Sequence, residues 1–329
     1  MTAIARALLL LVGALALAGC GPASRIGEDL PREDARLMLD AAPGAVHAGI
    51  LLAAERGFDR GEGVRLRIRR APSGGALEPL RSEEVDAALV DIAELARIRA
   101  RGADMVGVMA LVQRPTTSVL TSADVESPAG LEGRSVAVSG GRSDVGVLRS
   151  MVEGDSGDFD AVRILRGRDP ARPLLSGRAA GAVVDSIADG VPLRARRPEL
   201  RELRPEAFGA PAYPGVVMVV KRRTLVERSN VVRALIRTLQ RGYREAQVDP
   251  ESAASALQTR APGTEREIVL AQLNAVSPSW TAGAEAYGQL RPEALRDWAR
   301  WAVSFGVVER APRLERAFDT TLVSRQSTP

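Results

Sequence analysis

The stretch PGAVHAGILLAAERGFDRGEGVRLRI, residues 43–68, joins a helix to a strand, and this succession decides the fold class. Residues 46–57 have the composition of a helix, and Gly57 is a residue type at which helices commonly stop. Residues 64–70 then alternate apolar and basic side chains, which is the pattern of a strand. Repeated helix and strand units predict an α/β protein with a parallel sheet covered by helices.

The same alternation runs through most of the chain and restarts once, after residue 113. Strands are predicted at 35–40, 64–70, 85–91, 105–113, 117–122, 134–139, 159–165, 179–185 and 216–222. The remainder is mostly helical, and residues 225–246 give the clearest amphipathic pattern. The pattern therefore predicts two α/β units with a helical C-terminal cap.

The composition is that of a folded globular protein, with 45% hydrophobic and 26% charged residues. The formal net charge is +4, and every basic residue except Lys221 is an arginine. These arginines are scattered among acidic residues, and no basic stripe carries interleaved aromatics. A nucleic-acid partner is therefore not expected.

The N-terminus predicts export. Residues 1–19 combine one positive charge, a short apolar run and small residues, as a signal peptide does. The sequence LAGC, residues 17–20, resembles the bacterial lipobox, so the single cysteine, Cys20, is the expected lipidation site and residues 20–33 its tether. The alternative is ordinary cleavage near Ala18 with Cys20 incidental. With one cysteine, no disulfide forms within the chain.

Ligands of open α/β sheets bind beyond the carboxyl ends of the strands. The candidate binding residues at these ends are Ala42, Pro43, His47, Ser73, Gly74, Asp91, Ser139, Gly140, Gly141, Arg142, Ser143 and Asp185. Backbone N–H groups freed by Gly140 and Gly141 at a helix N-terminus, with Ser139 and Ser143, can hold an anion or a polar ligand edge. A plain turn capped by a serine is the alternative.

His47 is the only histidine, and it falls in the first turn of its predicted helix. The helix dipole disfavours the imidazolium form there. A neutral histidine donates with one nitrogen and accepts with the other, which suits a nitrogen heterocycle. The alternative is a histidine satisfied by solvent or by the core.

The sequence gives little support for an enzyme activity. With one histidine and one cysteine that is expected to carry a lipid, neither a Cys/His nucleophile pair nor a His/Cys metal cluster is expected. Neither a GxSxG elbow nor a P-loop occurs. Asp91 and Asp185 end strands, and such carboxylates are expected to bind ligand donors or structural arginines. We therefore expect neither catalysis nor a cofactor nor a metal.

Three stretches carry a resemblance to the NMT1/THI5-like family of solute-binding proteins. Residues 43–68 match its Pro-x-x-x-His-x-Gly opening, with Pro43, His47 and Gly49 in place. Residues 83–120 resemble its next block, and SPAGLEGRSVAVSGG, residues 127–141, resembles its link into a second domain. The resemblance covers roughly residues 34–305.

The resemblance implies a two-lobed periplasmic-binding-protein fold of type II. Lobe 1 would comprise residues 34–117 and 217–329 and lobe 2 residues 118–216, with two crossovers and the ligand in the cleft between them. It also implies a monomer that works with an ABC permease and ATPase. With the lipid on Cys20, the protein would be anchored at the extracytoplasmic face of the cell membrane.

Named family members bind thiamine pyrimidine precursors, and relatives bind riboflavin, sulfonates or nitrate. The resemblance places His47 near the pyrimidine and adds Thr117 and Tyr213, near the crossovers, to the binding residues. Many members have an aromatic residue where this chain has Ala41 and Ala42, so Tyr213 or Phe208 would supply the stacking wall. A sulfonate or nitrate held by Arg142 is the main alternative, ahead of a sensor lobe, a secreted enzyme or the cysteine-bearing pyrimidine synthase.

Overall fold

Alternation of strands and helices produces two five-stranded sheets. The computed structural model describes residues 32–72 and 75–323, without the side chain of Arg142. Its elements belong to one compact unit that begins at Glu33. The predicted signal peptide, Cys20, Ser73 and Gly74 lie outside the described residues.

The strands are β1 (Glu33–Leu39), β2 (Val64–Arg70), β3 (Ala87–Asp91), β4 (Met105–Ala110), β5 (Thr117–Thr121), β6 (Ser135–Val138), β7 (Arg163–Arg166), β8 (Gly181–Asp185), β9 (Arg201–Leu203) and β10 (Val216–Lys221). The first sheet has the order β2-β1-β3-β10-β4, and the second has the order β7-β6-β8-β5-β9. In each sheet four of the five strands run in the same direction, and one strand, β10 or β5, lies antiparallel between two of them. The predicted α/β class is confirmed, whereas β9 was not predicted.

The helices are α1 (Ala48–Glu55), α2 (Phe58–Gly61), α3 (Leu77–Arg81), α4 (Ile92–Ala100), α5 (Arg142–Gly154), α6 (Ala171–Leu175), α7 (Val191–Arg196), α8 (Arg222–Glu227), α9 (Ser229–Val248), α10 (Pro250–Arg260), α11 (Arg266–Val276), α12 (Pro278–Thr281), α13 (Pro292–Ser304) and α14 (Leu314–Ala317). Short 3-10 turns occur at Ala45–His47, Pro128–Leu131, Phe159–Ala161 and Pro205–Phe208, and a π-helical turn at Ser186–Gly190. Nowhere in residues 32–72 and 75–323 does a helix combine the length and the apolar character that crossing a membrane requires.

The chain passes between the two sheets twice, between β4 and β5 and between β9 and β10. The helices after β10 return to the first sheet, where α9 packs against α1. We call the part built on the first sheet lobe 1 and the part built on the second sheet lobe 2; their exact boundaries stay a prediction. The parallel strand ends of both lobes carry the candidate site.

Candidate functional site

His47 is buried just before α1, and both of its ring nitrogens have protein partners. The backbone N–H of Gly44 donates to Nδ1 at 3.1 Å, which assigns the proton of the neutral ring to Nε2. Nε2 then donates to Oδ1 of Asp40 at 2.7 Å. His47 does donate with one nitrogen and accept with the other, but its partners are within the protein. Its geometry makes it the residue that orients Asp40, and contact with a ligand stays a prediction.

A close helix crossing holds the loop that carries His47. A Cβ added at Gly49 would lie 2.3 Å from Cγ of Tyr243, and one added at Gly242 would lie 2.1 Å from the carbonyl oxygen of Gly49. Only glycine lets α1 and α9 approach this closely. The hydroxyl of Tyr243 also donates to the carbonyl oxygen of Val46 at 2.6 Å. The glycine in the His-x-Gly stretch therefore has a packing role.

Asp91 is the last residue of β3 and caps α4. Its Oδ1 accepts from the backbone N–H groups of Ala93 at 2.9 Å and Glu94 at 3.2 Å. Its Oδ2 accepts no hydrogen bond from the part of the chain that the structure describes. Solvent reaches the side chain, but surrounding protein replaces much of its water, and this desolvation raises the pKa of Asp91. Asp91 thus offers an open acceptor at a strand end.

Asp40, Asp91 and Glu94 form an acidic cluster at this edge of lobe 1. β1 and β3 pair in parallel with Leu37 opposite Ala87, so Asp40 and Asp91 lie at the ends of neighbouring strands, within one residue of the same level. Burial, followed by the charge of Asp91, raises the pKa of Glu94, and the charge of Asp40 contributes to the raised pKa values of both Asp91 and Glu94.

Asp40 behaves differently from the other two carboxyls. Burial acts to raise its pKa, but the hydrogen bond from His47, helped by backbone N–H groups, brings the pKa below its usual value. Its side chain keeps 27% exposure, so a ligand can reach the carboxylate. The sequence analysis missed Asp40, although its position directly after a strand was a usable signal.

Tyr213 lies on the second crossover and is buried. Its ring centroid lies 5.4 Å from that of Trp301 and 6.4 Å from that of Trp298, both on α13. Burial raises the pKa of Tyr213, and the charge of Asp91 adds to the shift. Its hydroxyl therefore stays protonated near the acidic cluster. The two tryptophans were missed, although their spacing of three residues places them on one helix face.

Ser139, which opens the Ser139–Asp144 turn of lobe 2, has both of its donors bound within the protein. The backbone N–H of Ser139 donates to Oδ2 of Asp144 at 3.0 Å, and its hydroxyl donates to the same oxygen. Gly140 has φ of +104°, which favours glycine, and Gly141 precedes α5 without a side-chain cap. The carboxylate of Asp144 thus engages both donors of Ser139, which the sequence offered to an anion.

Asp185 ends β8 and has no oxygen left without a partner. Its Oδ1 accepts from the backbone N–H groups of Ile187 at 2.9 Å and Ala188 at 2.7 Å, and its Oδ2 accepts from the hydroxyl of Thr116 at 2.6 Å. The geometry thus gives Asp185 a capping role. Thr117 pairs opposite it in the sheet.

The remaining predicted residues divide between the lobes. Ala42 and Pro43 lie in the turn before His47, with Ala42 exposed. Ser143 accepts a hydrogen bond from Arg97 of lobe 1 at 3.2 Å. Among the described residues, no group of three or more His, Cys, Asp or Glu side chains is arranged to hold a metal ion.

Two lobes joined by two crossovers, with polar residues at the ends of their parallel strands, define a substrate-binding protein of the type II periplasmic fold. The chain belongs to the NMT1/THI5-like family, whose model matches residues 45–253.

Two curated relatives are similar over most of the chain. A formylaminopyrimidine-binding protein of Halalkalibacterium halodurans is 27% identical and covers 76% of this chain and 77% of its own length. A Haemophilus influenzae protein named for thiamine biosynthesis is 26% identical, over 70% of this chain and 74% of its own.

The crystal structure of the periplasmic aliphatic sulphonate binding protein SsuA from Escherichia coli superposes with a TM-score of 0.71. It is 15% identical over 86% of this chain and 96% of the other. Similarity at this identity confirms the predicted fold and carries no information about the ligand.

Proposed function

We propose that this chain is the solute-binding component of an ABC importer and captures a thiamine pyrimidine precursor of the formylaminopyrimidine or hydroxymethylpyrimidine type. The observation that carries the proposal is the acidic cluster of Asp40, Asp91 and Glu94. An aminopyrimidine presents N–H donors and a ring nitrogen that can take up a proton, and carboxylates are acceptors for both. The name of the Halalkalibacterium relative supports the same ligand class.

The cluster also argues against a sulfonate or nitrate. An anion placed beside three carboxylates meets repulsion, which grows as water is excluded from the cleft. The Ser139 donors that an anion would need in lobe 2 are already bound to Asp144.

In the proposed complex, Asp91 accepts from the ligand through its open Oδ2, and Asp40 accepts in the orientation that His47 sets. Tyr213, backed by Trp301, offers a hydroxyl to the heterocycle. A hydrogen bond to a charged group contributes about 1.5–3 kcal/mol, so two such contacts supply about 3–6 kcal/mol of the roughly 8 kcal/mol of micromolar binding. Apolar and ring contacts supply the rest and offset the cost of association.

We propose the following for the rest of the protein. The protein binds its solute without transforming it, acts as a monomer, and delivers the solute to a permease and its ATPase. A lipid on Cys20 holds it at the extracytoplasmic face of the membrane. Lobe 1 comprises residues 34–117 and 217–329, and lobe 2 comprises residues 118–216.

Calorimetric titration tests the ligand. The panel is hydroxymethylpyrimidine, formylaminopyrimidine, thiamine, riboflavin, taurine and nitrate. Low-micromolar or tighter binding of a pyrimidine, with taurine and nitrate silent, is the expected result. Binding of only an anion, or silence from the whole panel, would overturn the ligand assignment.

A further inference from the structure

Arg97 connects the two lobes beside the acidic cluster. It lies on α4 of lobe 1, and its guanidinium donates to the hydroxyl of Ser143, in the first turn of α5 of lobe 2, at 3.2 Å. Among the described residues, Arg97 has no carboxylate within ion-pair distance. A cation whose charge acts on Asp91 and Glu94 thus donates to a neutral hydroxyl on the other lobe.

The positive charge of the same guanidinium affects the pKa values of two carboxyls of the acidic cluster, Asp91 and Glu94. Burial raises the pKa of Asp91, and the charge of Arg97 is the largest influence that opposes it. Arg97 likewise opposes the shift of Glu94. If the lobes separate, Ser143 would move out of reach, and the carboxylates of Asp91 and Glu94, on which Arg97 already acts, would be available to the guanidinium.

We propose that Arg97 is a specificity-determining residue that closes the lobes only over a ligand whose N–H donors satisfy Asp91 and Glu94. Such a ligand replaces Arg97 as the partner of these carboxylates and frees the guanidinium for Ser143. An anionic ligand would instead bind the guanidinium and keep it from Ser143. This inference rests on the proposed function for the ligand class, and its test does not need the ligand.

A second contact between the lobes serves as a reference. The side-chain amide of Gln272, on α11 of lobe 1, donates to the carbonyl oxygen of Ile187 of lobe 2 at 3.0 Å. It involves no charged group, so Gln272→Ala should weaken closure to the same extent whether or not the cluster is neutralised. Arg101→Gln is the matched control for Arg97, because Arg101 is an exposed arginine one turn further along.

The experiment measures lobe closure by electron–electron distance measurements between spin labels. The labels are placed at Arg65→Cys in lobe 1 and Arg168→Cys in lobe 2, both exposed, in the protein carrying Cys20→Ser. Asp91→Asn with Glu94→Gln mimics a cluster satisfied by ligand. Without any ligand, this pair should raise the ratio of closed to open molecules about threefold to tenfold.

Adding Ser143→Ala or Arg97→Gln should abolish that rise, whereas adding Arg101→Gln should leave it. An unchanged ratio in the Asp91→Asn, Glu94→Gln protein, or a rise that survives Ser143→Ala, would overturn the role of Arg97. Silence of the calorimetric panel would overturn the ligand assignment alone, because these distances are measured without ligand. With a pyrimidine that binds, Ser143→Ala should also raise the dissociation rate about threefold to tenfold.

Discussion

Each lobe has an aspartate at the end of a parallel strand, but the two aspartates have different hydrogen-bond partners. Asp91 ends β3 and Asp185 ends β8, and each caps the turn that follows through Oδ1. The hydroxyl of Thr116 binds the second oxygen of Asp185, whereas the second oxygen of Asp91 has no partner among the described residues. One hydroxyl thus separates a carboxylate that stabilises the fold from one that can recognise a ligand.

The ends of β1 and β6 repeat the contrast. Asp40 is oriented by His47 and keeps part of its surface open, while both donors of Ser139 are bound to Asp144. Lobe 1 therefore carries the open acceptors, and lobe 2 presents strand ends satisfied from within. This division predicts that substitutions in lobe 1 change affinity, whereas matched substitutions in lobe 2 change stability.

The largest effect is expected on stability, at Gly49, where the crossing of α1 and α9 holds the loop that carries His47. Gly49→Ala forces a methyl group into the ring of Tyr243 and should lower the free energy of unfolding by about 3 kcal/mol through overpacking. Urea unfolding measures the loss. Gly61→Ala is the control, because its added methyl group meets no atom within 4 Å. Equal midpoints for the two variants would contradict the tight crossing of α1 and α9.

The central comparison is Asp91→Asn against Asp185→Asn. An asparagine keeps the cap through its oxygen but removes the charge and half of the acceptor capacity. Pyrimidine affinity should fall about tenfold to a hundredfold in Asp91→Asn, the cost of about 1.5–3 kcal/mol for losing a charged hydrogen bond. It should change less than about twofold in Asp185→Asn.

Calorimetry measures the pyrimidine affinity of Asp91→Asn and of Asp185→Asn, and thermal unfolding compares the stability of the two variants. Asp185→Asn should be the less stable variant, because the hydroxyl of Thr116 loses its carboxylate acceptor. A loss of affinity in Asp185→Asn as large as that in Asp91→Asn would break the division between the lobes.

His47→Ala tests whether His47 acts through Asp40. The substitution removes the hydrogen bond that holds the pKa of Asp40 below its usual value, so that pKa should rise. Pyrimidine affinity should fall about tenfold, at the lower end of the range for one charged hydrogen bond. Carbon-13 titration of the Asp40 carboxyl checks the first effect and calorimetry the second. A lower affinity with an unmoved Asp40 pKa would indicate direct contact with the ligand instead.

Affinity should also depend on pH. Burial raises the pKa of Asp91, and burial with the charge of Asp91 raises that of Glu94, so both take up protons at a higher pH than ordinary carboxyls. Pyrimidine affinity should therefore fall on acidification before Asp40, whose pKa is lowered, is affected. In Asp91→Asn the pKa of Glu94 falls and the decline should move to lower pH. Calorimetry measures the affinity of the parent chain and of Asp91→Asn over the same pH series. Titration of the ligand affects both proteins equally and cancels in the comparison. If affinity depends on pH in the same way in both proteins, coupling between Asp91 and Glu94 is contradicted.

The sequence predicted the architecture better than the site because the two depend on different information. Alternating side chains placed β2 at its observed bounds, Val64–Arg70, and the restart of the pattern indicated the second sheet. The three-residue β9 is too short to show a period. The site depends on which carboxylate oxygens already have a hydrogen-bond partner in the protein. Those partners come from residues far apart in sequence. Thr116 and Asp185 are 69 residues apart, so no local pattern could separate Asp185 from Asp91.

The smallest effect should come from Asp144→Asn, which probes the satisfied turn of lobe 2. An asparagine still accepts one hydrogen bond but loses a negative charge in the first turn of α5, so unfolding should become easier by about 0.3–1 kcal/mol. Pyrimidine affinity should be unchanged, because lobe 1 carries the acceptors. Taurine and nitrate are the informative ligands, since the substitution removes the carboxylate that competes with them for Ser139. If Asp144→Asn binds taurine or nitrate weakly and the parent chain does not, Asp144 excludes anions from lobe 2. If both proteins bind the anion with equal strength, Asp144 does not exclude anions.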